Sequence, residues 1–249
     1  MLKAVLLDLD NTLVLFDELK YYQAYFKVLN SYFSNDFEPE ELRKRVVDGT
    51  MALRHNSGGQ TNRDCFLETF ARGCEEKSPV LWQQFMAFYR EAYDDIRVSV
   101  AVPQGLRRVL DTLRQSGLKL VIASNPIFPV IAQQKRMGWA DIDPEWFDLF
   151  THMENMHHVK PKPAYYRQTC ELIGENPEHC LMVGNDPVND MAAGKAGLKT
   201  FRTTDADAID YSSLTLTDEQ RQRDPASLPV PDFKGPLADV AGVVADLLG

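Results

Sequence analysis

Apolar runs and amphipathic helical patterns alternate along most of this chain. Five runs are typical of buried strands: 4–9, 118–124, 147–153, 180–185 and 198–203. Helical patterns lie between them, such as 103–117 and 163–174, each with a proline near its start and a glycine at its end. One face of the first pattern carries Leu106, Val109, Leu110 and Leu113. This alternation predicts an α/β fold whose core is a Rossmann-like, doubly wound parallel sheet.

One long segment breaks the alternation. Residues 15–98 contain no convincing strand, and helical patterns fit 17–34, 39–47, 61–76 and 79–95. Four helices are too many for a single crossover, so we predict an all-helical cap domain at 15–98, inserted into a core domain of 1–14 and 99–249. A long helical excursion packed onto the sheet is the alternative. Residues 217–236 are polar and proline-rich, which predicts a surface loop before a last helix at 237–248.

Composition and charge narrow the range of partners. The 249 residues include 27 basic and 36 acidic side chains, and the formal net charge of −9 disfavours nucleic acid as a partner. A small anionic substrate is compatible with this charge because the local potential of a site can oppose the net charge. No stretch approaches the roughly 20 apolar residues of a membrane span, and acidic residues interrupt the first apolar run, so we expect neither membrane association nor a signal peptide.

The cysteines indicate a reducing compartment. Cys65, Cys74, Cys170 and Cys180 are scattered and show no CxxC spacing, which is typical of reduced, buried thiols. We therefore expect a cytoplasmic protein. We expect it to be either a monomer or a homodimer.

The first predicted strand ends on two acidic residues, Asp8 and Asp10. Burying one unpaired carboxylate is costly, and two close together repel each other. In an open α/β sheet the ligand crevice lies beyond the carboxyl ends of the strands. We therefore expect both side chains to face a cleft in which a ligand or an opposite charge compensates for them.

Polar residues also follow the other predicted strands. These residues are Ser124, Lys160, Asp186, Asn189 and Asp190. Each has an ordinary structural explanation by itself: a serine in a turn, a solvated lysine, an acidic turn that caps a helix. Taken together, carboxylates, a hydroxyl and an ammonium group at neighbouring strand ends suit a hard cation and a phosphoryl group.

The same four stretches resemble the signature motifs of the haloacid dehalogenase (HAD) superfamily. "DLDNT" is similar to its DxDxT motif, "IASN" to its Ser/Thr motif, "KPKP" to its lysine motif and "GNDPVND" to its terminal acidic motif. The resemblance covers 1–14 and 99–249, and 15–98 stands where the superfamily inserts a C1-type helical cap. It implies a phosphatase-like hydrolase.

The resemblance also implies roles for individual residues. Asp8 corresponds to the nucleophile and Asp10 to the general acid–base residue, while Ser124 and Lys160 correspond to the groups that hold the phosphoryl oxygens. Asn125, next to Ser124, is a candidate for substrate binding.

A magnesium ion is implied as the cofactor. The resemblance assigns it to Asp8, the main-chain carbonyl of Asp10, and Asp186, with Asn189 and Asp190 orienting these ligands from outside. This chain departs from the common pattern because Gly184 is followed by Asn185 rather than by aspartate. Asn185 is therefore an alternative ligand or an outer partner, although the charge of Asp186 leads us to expect the larger loss of Mg²⁺ affinity from Asp186→Ala.

These assignments predict a Mg²⁺-dependent phosphohydrolase that acts on a small phosphorylated metabolite through an aspartyl-phosphate intermediate. A phosphomutase of the same superfamily is the main alternative. A metal-independent 2-haloacid dehalogenase is disfavoured by the second aspartate, Asp10, and a non-catalytic binding protein is disfavoured by the presence of Asp8. The sequence does not identify the substrate.

One loop of the predicted cap combines glycines with polar side chains that reach far enough to contact a substrate. Its residues are Arg54, His55, Ser57, Gly58, Gly59, Gln60 and Arg63. Arg54 and Arg63 are the candidates for substrate binding, and an ordinary helix–helix connection is the alternative. His157 and His158 precede Lys160, and we expect them to be exposed loop residues.

Overall fold

The computed structural model describes residues 1–207 and 228–249. Its strands are β1 (Ala4–Leu7), β2 (Lys119–Ile122), β3 (Leu149–Phe150), β4 (Cys180–Gly184), β5 (Lys199–Thr203) and β6 (Phe233–Gly235). They form one parallel sheet in the order β3-β2-β1-β4-β5-β6. This arrangement confirms the predicted Rossmann-like α/β fold.

Helices connect the strands. They are α1 (Glu18–Tyr32), α2 (Pro39–Ala52), α3 (Asn62–Phe70), α4 (Ser78–Glu91), α5 (Leu106–Gln115), α6 (Val130–Trp139), α7 (Pro163–Leu172) and α8 (Val240–Leu248). The first four lie between β1 and β2, in a stretch that we call the helical segment (residues 15–98) and that contains no strand. Short 3₁₀ turns occur at Leu53–His55, Glu75–Lys77, Tyr93–Ile96, Pro144–Trp146, Pro177–His179, Met191–Ala196 and Leu237–Asp239.

Apolar clusters cover both faces of the sheet. Because side chains alternate along each strand, neighbouring residues of one strand belong to different clusters. Val5 and Leu7 belong to a buried cluster that also contains the apolar face of α5 and much of the helical segment. Ala4 and Leu6 point the other way, into a second cluster with Tyr166 and other residues of α7. Burial on both faces explains why β1 is an unbroken apolar run.

The described residues also differ from the sequence-based expectation. No element is expected between 124 and 147, yet α6 forms there. The final part of the predicted 217–236 loop pairs as β6, an edge strand next to β5. Asp232, directly before β6, accepts hydrogen bonds from the Thr200 N–H (2.9 Å) and hydroxyl (3.0 Å) of β5. Three residues are too few to show a strand period. Residues 217–227 of that loop lie outside the described residues.

Three predicted helices have clearly different bounds. The second extends to Ala52 instead of residue 47, the third ends at Phe70 instead of 76, and the fourth ends at Glu91 instead of 95. The third ends early because the chain turns at Gly73, which has a φ of +82° that side chains other than glycine rarely adopt. The four cysteines are free thiols as expected, although Cys74 is only half-buried.

The position of β1 decides where a ligand site can form. β2 and β4 pair with β1 on opposite sides, so the chain connections run in opposite directions from this point. Such a reversal opens a crevice at the carboxyl edge of a parallel sheet. Asp8 lies at this edge, beside the residues that follow β2 and β4.

Candidate active site

Asp8 is a buried carboxylate held by two partners. Its backbone N–H continues the sheet by donating to the carbonyl of Val183 at 2.9 Å. One carboxylate oxygen accepts from Lys160 Nζ at 2.8 Å, and the other accepts from the Thr12 hydroxyl at 3.2 Å. Asp8 is 8% exposed. The ammonium group therefore compensates for a charge that would otherwise be costly at the end of a core strand.

Lys160 bridges two of the predicted site residues. Its Nζ donates to Asp8 at 2.8 Å and to Asp190 at 2.5 Å, and its side chain is buried. Burial alone would lower the pKa of Lys160, but the carboxylates of Asp190 and Asp8 outweigh that effect and raise the pKa well above its ordinary value. Lys160 consequently remains a cation at neutral pH.

Asp190 connects the fourth motif to this cluster. One of its oxygens accepts from Lys160, and the other accepts from the Asp186 N–H at 2.9 Å. Burial raises the pKa of Asp190. The positive charge of Lys160 opposes this rise, and the negative charge of Asp8 adds to it. A Cβ at Gly184 would collide with the Asp190 carboxylate, so the close approach of Asp190 to the end of β4 requires glycine.

Asp186 directs its carboxylate into its own turn. One oxygen accepts from the N–H groups of Val188 (2.7 Å) and Asn189 (2.8 Å), and the other accepts from the Asn189 side-chain amide at 2.8 Å. This pattern is typical of an aspartate that caps the start of a helical turn.

Asn185 instead faces Thr12 and Asp8. The Asn185 Oδ1 lies 2.9 Å from the Thr12 hydroxyl, and the Asn185 N–H donates to the same hydroxyl at 3.1 Å. That hydroxyl is also within hydrogen-bonding distance of Asp8. Asn185 and Asp8 thus bring two hard oxygen atoms to the same part of the cleft.

Asp10 is paired with an arginine that sequence reasoning missed. Arg136, on α6, is fully buried, and its Nε lies 2.8 Å from Asp10 Oδ1 in an ion pair without hydrogen-bond alignment. Arg136 also donates to the Tyr93 hydroxyl at 2.5 Å and the Tyr21 hydroxyl at 3.4 Å. Desolvation raises the pKa of Asp10, Arg136 opposes this, and the charge of Asp8 adds to the rise. The sequence analysis did not predict α6, so it gave no indication that Arg136 would pair with Asp10.

Glu18 is a second acidic group that the sequence analysis did not identify. It lies in the first turn of α1, where it accepts from the Asn11 side-chain amide at 3.2 Å. Burial raises the pKa of Glu18 to about 7, and the nearby charge of Asp10 contributes. Acidic residues are common in the first turn of a helix because they interact favourably with the helix dipole. The sequence position of Glu18 therefore did not indicate that it would lie near the site.

Ser124 and Asn125 follow β2 and lie beside the cluster. The Ser124 carbonyl accepts from the hydroxyls of Thr151 (2.7 Å) and Tyr165 (3.0 Å), which fixes the backbone where β2 ends. Asn125 Oδ1 accepts from the Lys160 N–H at 3.2 Å. The second and third motifs are therefore in direct contact.

The two arginines predicted to bind substrate have different surroundings. Arg54, in the 3₁₀ turn after α2, lines a pocket together with Asn125 and Lys160. We call this the aromatic pocket; aromatic side chains of the helical segment line it, including Tyr22, Phe26, Trp82 and Phe85. Arg63 is not part of this lining, and its Nε donates to Asp64 at 2.8 Å.

The glycine-containing loop at 55–62 packs against the core. Asn62 is buried, and its side-chain amide donates to the carbonyls of Pro126 (3.3 Å) and His158 (3.1 Å). His157 Nδ1 lies 2.9 Å from the carbonyl of Gly58. The expectation that His157 and His158 are exposed is wrong: both are half-buried against this loop, and burial lowers the pKa of His158.

Residues 2–197, which include every site residue named above, match the family described as haloacid dehalogenase-like hydrolases. The chain belongs to this family and is a HAD-like hydrolase. The chain is similar to the pyrophosphatase PpaX of Bacillus cereus (strain AH820), which is 24% identical over 199 residues, covering 80% of this chain and 82% of that protein.

Solved structures share the fold. A 2-haloacid dehalogenase from Pseudomonas syringae pv. tomato DC3000 superimposes with a TM-score of 0.62 at 17% identity, covering 99% of this chain and 100% of that one. The HAD hydrolase YfnB of Bacillus subtilis, in a structure bound to magnesium, gives a TM-score of 0.53 at 18% identity and covers 98% of both chains. At these identities the similarity establishes the fold alone.

Across 1–207 and 228–249, no helix is long and apolar enough to cross a membrane. The same ranges contain no group of three or more His, Cys, Asp and Glu side chains that would hold a metal ion.

Proposed function

We propose that this chain is a Mg²⁺-dependent phosphohydrolase that acts on a small phosphorylated metabolite, with Asp8 as the nucleophile. The observation that carries the proposal is the contact of Asp8 with Lys160 at the carboxyl edge of the sheet, with Asp10 two residues further along. The pyrophosphatase activity named for the Bacillus cereus relative supports phosphoryl chemistry in this family.

In the first step an Asp8 oxygen attacks phosphorus, so that an aspartyl-phosphate bond forms as the ester P–O bond breaks. Lys160 favours this step in two ways, since its cationic side chain keeps Asp8 ionised and neutralises charge on the transferring oxygens. Ser124 and Asn125 are proposed to hold the phosphoryl oxygens from the end of β2. Splitting the displacement into two steps lowers each barrier.

Asp10 is proposed to transfer the protons. It donates one proton to the leaving oxygen in the first step, and it then takes one from the water that hydrolyses the aspartyl phosphate. Arg136 holds the Asp10 carboxyl from the side of α6. We assign Arg136 a positioning role because its contact is with Asp10 alone among the proposed catalytic groups.

The donor atoms present fit Mg²⁺. The ion prefers hard oxygen ligands and usually binds through one or two carboxylates, water and substrate phosphate rather than a complete protein cage. Asp8, the Asp10 carbonyl and Asn185 would supply such ligands. The Asn185 oxygen lies on the Asp8 side of the turn, whereas the Asp186 carboxylate accepts hydrogen bonds within the turn, and this supports Asn185 over the sequence-based choice of Asp186. When bound, the ion would reduce the repulsion between the carboxylate and the phosphoryl group. YfnB, which has the same fold, is described as bound to magnesium, and this supports magnesium as the choice of ion.

The helical segment is proposed to act as a cap domain over a core of residues 1–14 and 99–249. Arg54 is its candidate substrate contact because it lines the aromatic pocket with Asn125 and Lys160. The pairing of Arg63 with Asp64 favours a structural role for Arg63. A cytoplasmic location remains our proposal and is consistent with the four free thiols.

The test is hydrolysis of p-nitrophenyl phosphate by the wild-type chain and by Asp8→Asn, with Mg²⁺ and with excess chelator. We expect turnover only for the wild type with the metal, because an amide is a poor nucleophile of nearly the same volume as a carboxylate. Asp246→Asn, which changes an exposed carboxyl on α8, is the matched control and should retain activity. Near-normal turnover by a folded Asp8→Asn variant would contradict the proposal, as would undiminished turnover in chelator.

A further inference from the structure

The aromatic pocket opens directly beside the proposed phosphoryl site. Asn125 and Lys160 line its core end, and Lys160 contacts Asp8. The pocket therefore lies where the group attached to the phosphoryl oxygen would extend.

The lining of the pocket is mostly apolar. Aromatic rings from α1, α3 and α4 form much of it, and the hydroxyls of Tyr25 and Tyr89 hydrogen-bond to each other at 3.0 Å. Tyr22, Phe26 and Trp82 are only half-buried, so apolar surface remains open in a concave site. Concave apolar surface beside a few convergent polar groups is the usual composition of a small-molecule site.

Charged side chains make up a small part of the lining. Among the described residues that line the pocket, Arg54 and Lys160 are the charged ones, and Lys160 already contacts two carboxylates. An apolar leaving group would bury its surface against these rings, which is favourable. Pyrophosphate, whose leaving group is itself phosphate, has no apolar surface to bury there.

We propose that the aromatic pocket binds the leaving group and selects phosphate monoesters of apolar alcohols over pyrophosphate and other substrates with anionic leaving groups. This inference rests on the proposed function. In the reaction the Asp8–phosphorus bond forms, the ester P–O bond breaks, and the alcohol leaves with the proton from Asp10. Water then hydrolyses the aspartyl phosphate and releases inorganic phosphate.

A series of n-alkyl phosphates separates binding in the pocket from the chemical step, because ethyl, butyl, hexyl and octyl alcohols are leaving groups of similar basicity. With the full chain and Mg²⁺, we expect kcat/KM to rise roughly fourfold for each added methylene until the pocket is filled, from the free energy of burying a methylene. Pyrophosphate should be hydrolysed with a lower kcat/KM than octyl phosphate.

Two variants on α4 test whether this preference comes from the pocket. Trp82→Ala removes a lining ring and should lower kcat/KM more for octyl than for ethyl phosphate. Val80→Ala changes a side chain on the same helix that is 63% exposed and outside the lining, so it should leave the chain-length dependence unchanged. The wild-type series alone remains decisive if Trp82→Ala does not fold.

The outcomes distinguish this inference from the proposed function. Hydrolysis of p-nitrophenyl phosphate together with no dependence on alkyl length, or with a preference for pyrophosphate, would overturn the inference and leave the proposed function standing. Failure to hydrolyse any of these phosphates would overturn both. A chain-length dependence that Trp82→Ala weakens and Val80→Ala preserves would support the pocket as the leaving-group site.

Discussion

The carboxyl edge of the sheet and the aromatic pocket are neighbouring regions with opposite chemistry. At the sheet edge, Asp8, Lys160 and Asp190 are buried and satisfy one another as charged groups. In the pocket, rings such as Phe26 and Trp82 keep apolar surface open and carry no charge. The sheet edge suits a reaction that every substrate shares, whereas the pocket suits discrimination between leaving groups.

Two side chains, Arg136 and Asn62, connect the core with the helical segment that forms much of the pocket. Arg136 pairs with Asp10 at the sheet edge and donates to Tyr93 and Tyr21 of the helical segment. Asn62 of the helical segment donates to two core carbonyls. Substitutions at the sheet edge, at these contacts and at the candidate metal ligands should change turnover, stability and Mg²⁺ affinity, respectively.

The largest effect is expected at the sheet edge itself. Asp10→Asn should lower kcat by roughly 10²–10⁴-fold, the usual loss for a general acid–base group. The loss should be greater for ethyl phosphate than for p-nitrophenyl phosphate, because an alkoxide needs a proton to leave and a nitrophenolate does not. Steady-state kinetics with both substrates provide the measurement. Equal losses would indicate that Asp10 acts on the structure of the site rather than on the leaving group.

Arg136→Met should destabilise the protein by about 3–5 kcal/mol, because it leaves the Asp10 carboxylate without its opposite charge and the buried Tyr93 hydroxyl without its donor. Urea denaturation of the variant measures this loss, with Arg107→Met on the exposed face of α5 as the control. The double variant Asp10→Asn with Arg136→Met should lose less than the sum of the two single variants if the ion pair couples them. Additive losses would show that the two side chains are independent.

Asn62→Ala tests the contact between the helical segment and the core loops. It removes donors to two buried carbonyls, and we expect it to lower the free energy of unfolding by about 1–3 kcal/mol. Asn30→Ala is the control, since the side-chain oxygen of Asn30 is buried without a hydrogen-bond partner among the described residues. Thermal denaturation compares the two, and an equal or larger loss for Asn30→Ala would argue against the importance of this contact.

The smallest effect concerns which oxygen atoms hold the ion. Asn185→Ala should weaken Mg²⁺ binding by roughly tenfold or more, and Asp186→Ala should weaken it less, because the Asp186 carboxylate is already hydrogen-bonded within its turn. Calorimetric titration of Mg²⁺ into each variant measures the difference without requiring turnover. A larger loss for Asp186→Ala would restore the expectation drawn from the sequence.

Local patterns in the sequence were sufficient for the framework of the molecule. The apolar runs that became β1, β2 and β4 predicted a parallel sheet, because strands covered on both faces exclude polar side chains. The charges of Asp8 and Asp10 then marked the carboxyl edge, and motif order placed Lys160 and Asp190 near them. These features depend on residues close together in the chain, or on the rule that parallel strands end on the same side.

Other features depend on how distant segments pack, and only the tertiary structure decided them. The pairing of Arg136 with Asp10 requires α6 to bring its side chain to the end of β1, and no local pattern records which charges will meet. Asn185 and Asp186 differ by one position, yet the turn after β4 sends one toward Thr12 and the other into its own backbone. The aromatic pocket exists because rings from several helices surround a space that they do not fill, whereas the sequence pattern of each helix indicates only that its apolar face is covered.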